Sequence, residues 1–175
     1  MTWRLCGFPP SGQSRQGDAR KLGSFRSDWA PMTVLSDPLG WFTLRLPHGW
    51  ESETEDCVTT LRGPLRLGVL YVSGGRHARG RQASFGGADF LTHFLGSIGI
   101  DVEDGAIAGS AGVGWRIYTY QRDADGAHWR YWSVTDDETA LLLSYTCDVG
   151  DLGIEEEDVD DIVGSIRLFH SAPVH

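Results

Sequence analysis

The sequence predicts an α+β fold, an antiparallel β-sheet with helices packed on its faces, and three observations carry this. Residues 115–147 hold three runs rich in aromatic and β-branched residues, WRIYTYQ, AHWRYWSV and ALLLSYTC, linked by DADG and TDDET. Such runs, broken by small and acidic turn residues, make an antiparallel meander. Phe90, Leu91, Phe94, Leu95 and Ile98 recur at helical spacing within 88–98, and Val159, Ile162, Val163 and Ile166 form a second helical stripe beginning in 154–164.

The meander admits two registers. Residues 123–126 serve either as a four-residue loop or as a shorter loop with Gly126 left-handed and a bulge. The first places Tyr118 and Tyr120 beside Trp129 and Tyr131; the second places them beside Arg130 and Trp132. Both sheet faces then carry large apolar groups, so both need cover, by a helix layer on one side and mostly loops on the other.

The other elements follow in order. After the Asp37-Pro38-Leu39-Gly40 turn, residues 41–46 alternate as a first strand with Phe42, Leu44 and Leu46 on one face. Pro47-His48-Gly49 breaks it, and Trp50 returns to the core edge. Residues 51–56 read as a polar link. A hairpin follows about Gly63-Pro64, built from 57–62 and 65–72, with Leu65, Leu67, Val69 and Tyr71 in phase. Helix 88–98 should lie on the sheet, residues 100–110 supply a short strand or two, and the six acids between Glu155 and Asp161 form the solvated start of the last helix.

Length and composition bound the rest. A chain of 175 residues, 41% hydrophobic, buries one core. We expect residues 1–36 to be a disordered or extended segment, with Met32 an alternative start, residues 37–169 one domain and 170–175 a tail. The formal charge of −9 divides into +3 for residues 1–31 and −12 for the remainder. So acidic a body repels nucleic acid and anionic membrane surfaces. No apolar run approaches the ~20 residues of a membrane span. Cys6, Cys57 and Cys147 lack any CxxC pair, and Cys57 and Cys147 are expected to be reduced strand residues in a cytoplasmic protein.

Candidate functional residues fall in three groups. Residues 73–87, SGGRHARGRQASFGG, are the one cationic run of the acidic body. There Arg76, His77, Arg79 and Arg81 have the donors to hold a phosphate, a carboxylate or an acidic partner surface, without P-loop spacing. Trp129, Tyr131 and Trp132 are candidate walls of a ligand pocket between the meander and helix 88–98. His128, near Asp123 and Asp125, is a candidate acid/base group. His48, His77, His93, His128, His170 and His175 show no zinc spacing, and Asp123 begins a calcium loop that lacks its closing glutamate, so no metal or other cofactor is expected.

Phe42-x-Leu44-x-x-Pro47-x-Gly49-Trp50, Tyr118-x-Tyr120 to Trp129-x-x-Trp132, and a last helix running into Ser165-Ile166-Arg167-Leu168 together resemble the PsbP-like superfamily over residues 37–169. That superfamily includes the extrinsic PsbP protein of photosystem II, a Ran-binding nuclear import factor, DcrB-type lipoproteins and chaperones of secreted effectors. The resemblance implies a strongly twisted antiparallel sheet with helices on both sides, an α/β/α sandwich. It also implies a non-enzymatic protein that binds a protein partner, here unidentified.

Overall fold

The structure, a computed structural model, describes residues 32–76, 87–112, 114–136 and 138–169. Ten strands, β1 (Thr33–Ser36), β2 (Phe42–Leu46), β3 (Glu51–Glu55), β4 (Val58–Arg62), β5 (Gly68–Arg76), β6 (Ala108–Gly112), β7 (Trp115–Ala124), β8 (Ala127–Thr135), β9 (Thr139–Asp148) and β10 (Arg167–Leu168), join two helices, α1 (Gly87–Ser97) and α2 (Glu156–Gly164). Seven strands form one sheet in the order β3-β4-β5-β9-β8-β7-β6, and β1-β2-β10 form a small second sheet. Every pairing is antiparallel.

The sheet is covered on both sides, as the resemblance implies. On one face Leu70, Val72, Trp132, Val134, Leu141, Leu143 and Tyr145 meet Phe42, Leu44 and Leu46 of β2 and Val159, Ile162, Val163 and Ile166 of the α2 segment. On the other, Leu91, Phe94 and Leu95 of α1 pack with Ile100 on Tyr131 and Leu142. The expectation that loops cover most of the second face is corrected: α1 covers its part around Leu142, Tyr131 and Tyr118, because β9 is apolar at successive positions and needs an apolar partner on each side. The α1 start is fixed by Ser133, wholly buried on β8, whose hydroxyl donates to the Gly87 carbonyl at 2.8 Å.

The meander forms as expected, and its register resolves the ambiguity. Tyr120 faces Tyr131 and Arg122 faces Trp129, so the tyrosines share a face with Trp129 and Tyr131. The loop is shorter than four residues: Ala124 pairs with Ala127, and Asp125 and Gly126 both have positive φ, 54° and 80°. This is the backbone of a two-residue type I′ turn.

Four expectations need correction. Residues 51–56 are not a link but supply edge strand β3, whose five residues are all exposed; an edge strand packed on neither face need carry no apolar alternation. Cys57 lies outside the strands, exposed, with Asp56 in a turn of positive φ (47° and 68°), whereas Cys147 is buried in β9 and both thiols are free. In β5 the core set is Leu70 and Val72, while Val69 and Tyr71 are half-buried on the α1 side and Leu65 precedes the strand, exposed. Ordered pairing also begins ahead of Asp37, where β1 zips onto β2 with Leu35 against the core.

Two glycines test this packing in opposite directions. A methyl at Gly68 would lie 2.3 Å from the Tyr145 hydroxyl, inside the core, whereas one at exposed Gly96 of α1 meets nothing within 4 Å. Gly68→Ala should cost about 2–3 kcal/mol. Gly96→Ala should add about 0.5–1 kcal/mol by restricting the unfolded chain. Urea denaturation of the two variants checks both signs.

Candidate functional site

Cross-strand register assembles an aromatic trough on the α1 side of the sheet. Tyr71, Ser144, Tyr131 and Tyr120 lie across β5, β9, β8 and β7 in one row; Val69, Thr146, Trp129 and Arg122 form the next. Strands sit about 4.8 Å apart, so Tyr71 and Val69 stand roughly 10 Å from Tyr131 and Trp129. In the first row Ser144 and Tyr131 are buried, 2% and 5% exposed, so the trough opens along the second row, over half-buried Thr146. The far wall is rigid: Trp129 stacks on Tyr131 at 6.0 Å and 6°, Tyr120 tilts against Tyr131 at 6.4 Å, and Phe94 of α1 backs Tyr131 at 6.3 Å. Trp129, Tyr120, Tyr71, Val69 and Thr146 are half-buried. On the same face, Glu51, Glu53 and Glu55 of β3 lie opposite Arg62, Thr60 and Val58, setting three exposed carboxylates along the outer rim; Glu51 pairs with Arg66 at 2.8 Å and Glu53 with Arg62 at 3.9 Å.

The expected pocket needs revision. Trp129 and Tyr131 share the trough wall, but Trp132 points to the opposite face, because neighbouring residues of a strand face opposite ways. There it carries the Arg130 guanidinium 4.8 Å above its ring. Arg130 in turn reaches Asp160 at 2.8 Å and Glu156 at 3.4 Å, tying β8 to α2. The space between sheet and α1 is filled by Leu91, Phe94 and Leu95, so the aromatic surface opens beside the helix instead of under it.

His128 and Asp123 do come together. They face each other across β7 and β8, and His128 Nδ1 meets Asp123 Oδ1 at 2.6 Å. Cys147 lies opposite His128 on β9, completing a Cys–His–Asp row across three strands. The row lacks the contacts of a nucleophile and its base. His128 Nε2 is buried without a hydrogen-bond partner, and burial pushes the Cys147 thiol up, assisted by Asp151, Glu155 and Asp148. Among the described residues no three His, Cys, Asp or Glu side chains are placed to hold a metal ion.

Of the cationic residues, Arg76 ends β5, donating to Thr139 Oγ1 at 3.3 Å and to the Phe169 carbonyl, which joins the large sheet to the chain's last described residues. His77, Arg79 and Arg81 lie outside the described residues.

Sequence reasoning missed a buried acid. Glu155, assigned to the solvated helix face, is 3% exposed. Its Oε2 accepts from the Gly68 amide at 3.1 Å and from the Tyr145 hydroxyl at 3.3 Å, while Oε1 is buried without a partner. The signal was present: Glu155 precedes Val159 by four residues and so extends the apolar stripe. Burial raises its pKa above the usual 4.5 despite these hydrogen bonds, and raises that of Tyr145.

Comparison with known proteins follows the fold and goes no further. No family model matches the chain, and no curated protein matches it in sequence. Among solved structures it is similar to cyanobacterial PsbP (CyanoP) from Synechocystis sp. PCC 6803, with TM-score 0.58 and 16% identity over 85% of this chain and 99% of that one. It is also similar to a protein from Bacteroides thetaiotaomicron, with TM-score 0.56 and 15% identity over 79% of this chain, although it spans only 48% of that protein. Among the described residues no helix is long and apolar enough to cross a membrane.

The buried acid has a pH signature. The unfolded Glu155 carboxyl loses its proton near pH 4.5, while the folded one keeps it to higher pH, so stability is full below 4.5 and falls as pH rises toward the folded value. Glu155→Gln should remove that decline. The difference in urea midpoint between wild type and variant should move in the variant's favour between about pH 4 and about pH 7. With these strands and this helix in place, the chain has a PsbP-like fold.

Proposed function

We propose that the chain is a non-enzymatic binding module that receives a protein partner on the trough beside α1. The observation that carries this is the half-open sheet face. Among the described residues α1 covers the β8 end of the sheet, while Val58, Thr60, Val69, Tyr71, Thr146 and Trp129 stay half-buried beside it. An apolar centre, rigid aromatic wall and charged rim are the anatomy of a protein contact. Glu55 at the rim, beside Glu51 and Glu53 that pair with Arg66 and Arg62, and the acidity of the body favour a partner with basic residues around one apolar or aromatic anchor. The sealed Nε2 of His128 and the protonated Cys147 thiol favour binding over catalysis.

The test is quantitative binding of a purified basic partner, first captured from the source cells. Replacing Glu51, Glu53 and Glu55 together by lysine, or Trp129→Ser, should weaken the complex at least about tenfold, or about 1.4 kcal/mol. Asp161→Lys on α2 should leave it unchanged. Binding indifferent to both trough variants removes the trough, and binding lost only when Arg76, Arg79 and Arg81 become serine moves the contact to that segment. A second reading, a small-molecule binder, uses the same wall. It predicts a change in tryptophan fluorescence with ligand that Trp129→Ser abolishes.

A further inference from the structure

The two ends of the large sheet are built differently. β3 closes one end with Glu51, Glu53 and Glu55, charges that discourage another strand from pairing there. β6 closes the other with Ala-Gly-Ser-Ala-Gly, fully exposed and without a charge, a proline or a side chain larger than serine. Its glycines are required by its neighbour. A methyl at Gly109 would lie 2.9 Å from the Tyr118 ring, and one at Gly112 would lie 2.5 Å from the Trp115 ring. Gly109 shares a face with Tyr118, and Gly112 shares the other with Trp115, so one ring lies over the edge on each side of the sheet.

We propose that β6 is a self-pairing edge, joined antiparallel to β6 of a second copy of this chain about a two-fold axis through Ser110. The occupant follows from the sequence of the strand. In that register Ser110 meets Ser110 of the second copy, and each glycine meets an alanine, 109 against 111 and 112 against 108. Every methyl of one copy thus comes beside a ring-covered glycine of the other, Ala111 near Tyr118 and Ala108 near Trp115. Five paired residues and two rings per copy bury less than the ~1,200 Å² of a standard interface, so the dimer is weak and reversible. This assembly is separate from the trough, whose rows end at Tyr120 and Arg122 of β7 and include no residue of β6.

Sedimentation velocity on the full chain, from about 10 μM to about 1 mM, tests it, since weak contacts of this size dissociate in that range. Wild type should pass from monomer to dimer. Ser110→Lys and Ser110→Glu each set like charges opposite one another and should stay monomeric. An equal mixture of the two variants should dimerise again, at least about tenfold more tightly than either alone. Circular dichroism of exposed position 110 variants confirms that each is folded. A wild-type monomer at the top concentration overturns the proposal. So does a dimer indifferent to both substitutions, or a mixture that stays monomeric, since only a contact of residue 110 with its own copy predicts rescue.

Discussion

The fold depends on one strand that has no wet side. From Thr139 to Tyr145 every residue of β9 is buried, with Leu141 and Leu143 facing one layer and Leu142 the other. A strand buried on both faces cannot be stable until two separate apolar surfaces are laid against it. The chain draws them from sequence on either side: α1 precedes the meander, and α2 follows it. The small sheet completes the second layer by pairing β10, near the end of the described chain, with β2, near its start. Arg167 and Leu168 thereby lock the two ends of the domain together, and the Phe169 amide adds a bond to the Trp41 carbonyl at 2.9 Å.

Polar groups within these layers act as fasteners between elements. Trp50 Nε1 donates to Asp158 at 3.2 Å, Arg130 spans β8 and α2, and Glu155 ties the start of α2 to the backbone of β5. All three hold α2, a helix of only nine residues whose own hydrogen bonds would not keep it helical in water. Glu155 also explains a neighbour: a methyl at Gly63 would lie 2.4 Å from its Oε1. The glycine before Pro64 is therefore a packing requirement as much as a turn signal.

What could be read from the chain was what periodicity records. Phe94 and Leu95, or Val159 and Ile162, repeat with the helix because one flank of each helix is dry, and the meander announces itself through aromatics that must pack on both sides. Glu51 to Glu55 shows no such mark, because a strand at the end of a sheet is defined by hydrogen bonds to β4 and not by burial. Residues 65–72 gave the reverse error: two apolar sets alternate there, and only the tertiary cover decides that Leu70 and Val72 are core while Val69 and Tyr71 line the trough. The trough itself was half legible. Trp129 and Tyr131 were visible as wall residues, but Tyr71, Ser144 and Thr146 join them only through the register of three strands that are distant in sequence. Trp132, one residue away, belongs to the opposite layer.

The contrast between the two edges also bears on how large an assembly of this chain can grow. A sheet open at both ends is a monomer for polymerisation, and each addition exposes the site for the next. Here the glutamates of β3 leave one end unreceptive, and a two-fold pairing at β6 would consume the other in both molecules at once. Growth would stop at two, so a chain with half of its described residues in strands could keep a sticky edge without seeding a fibre.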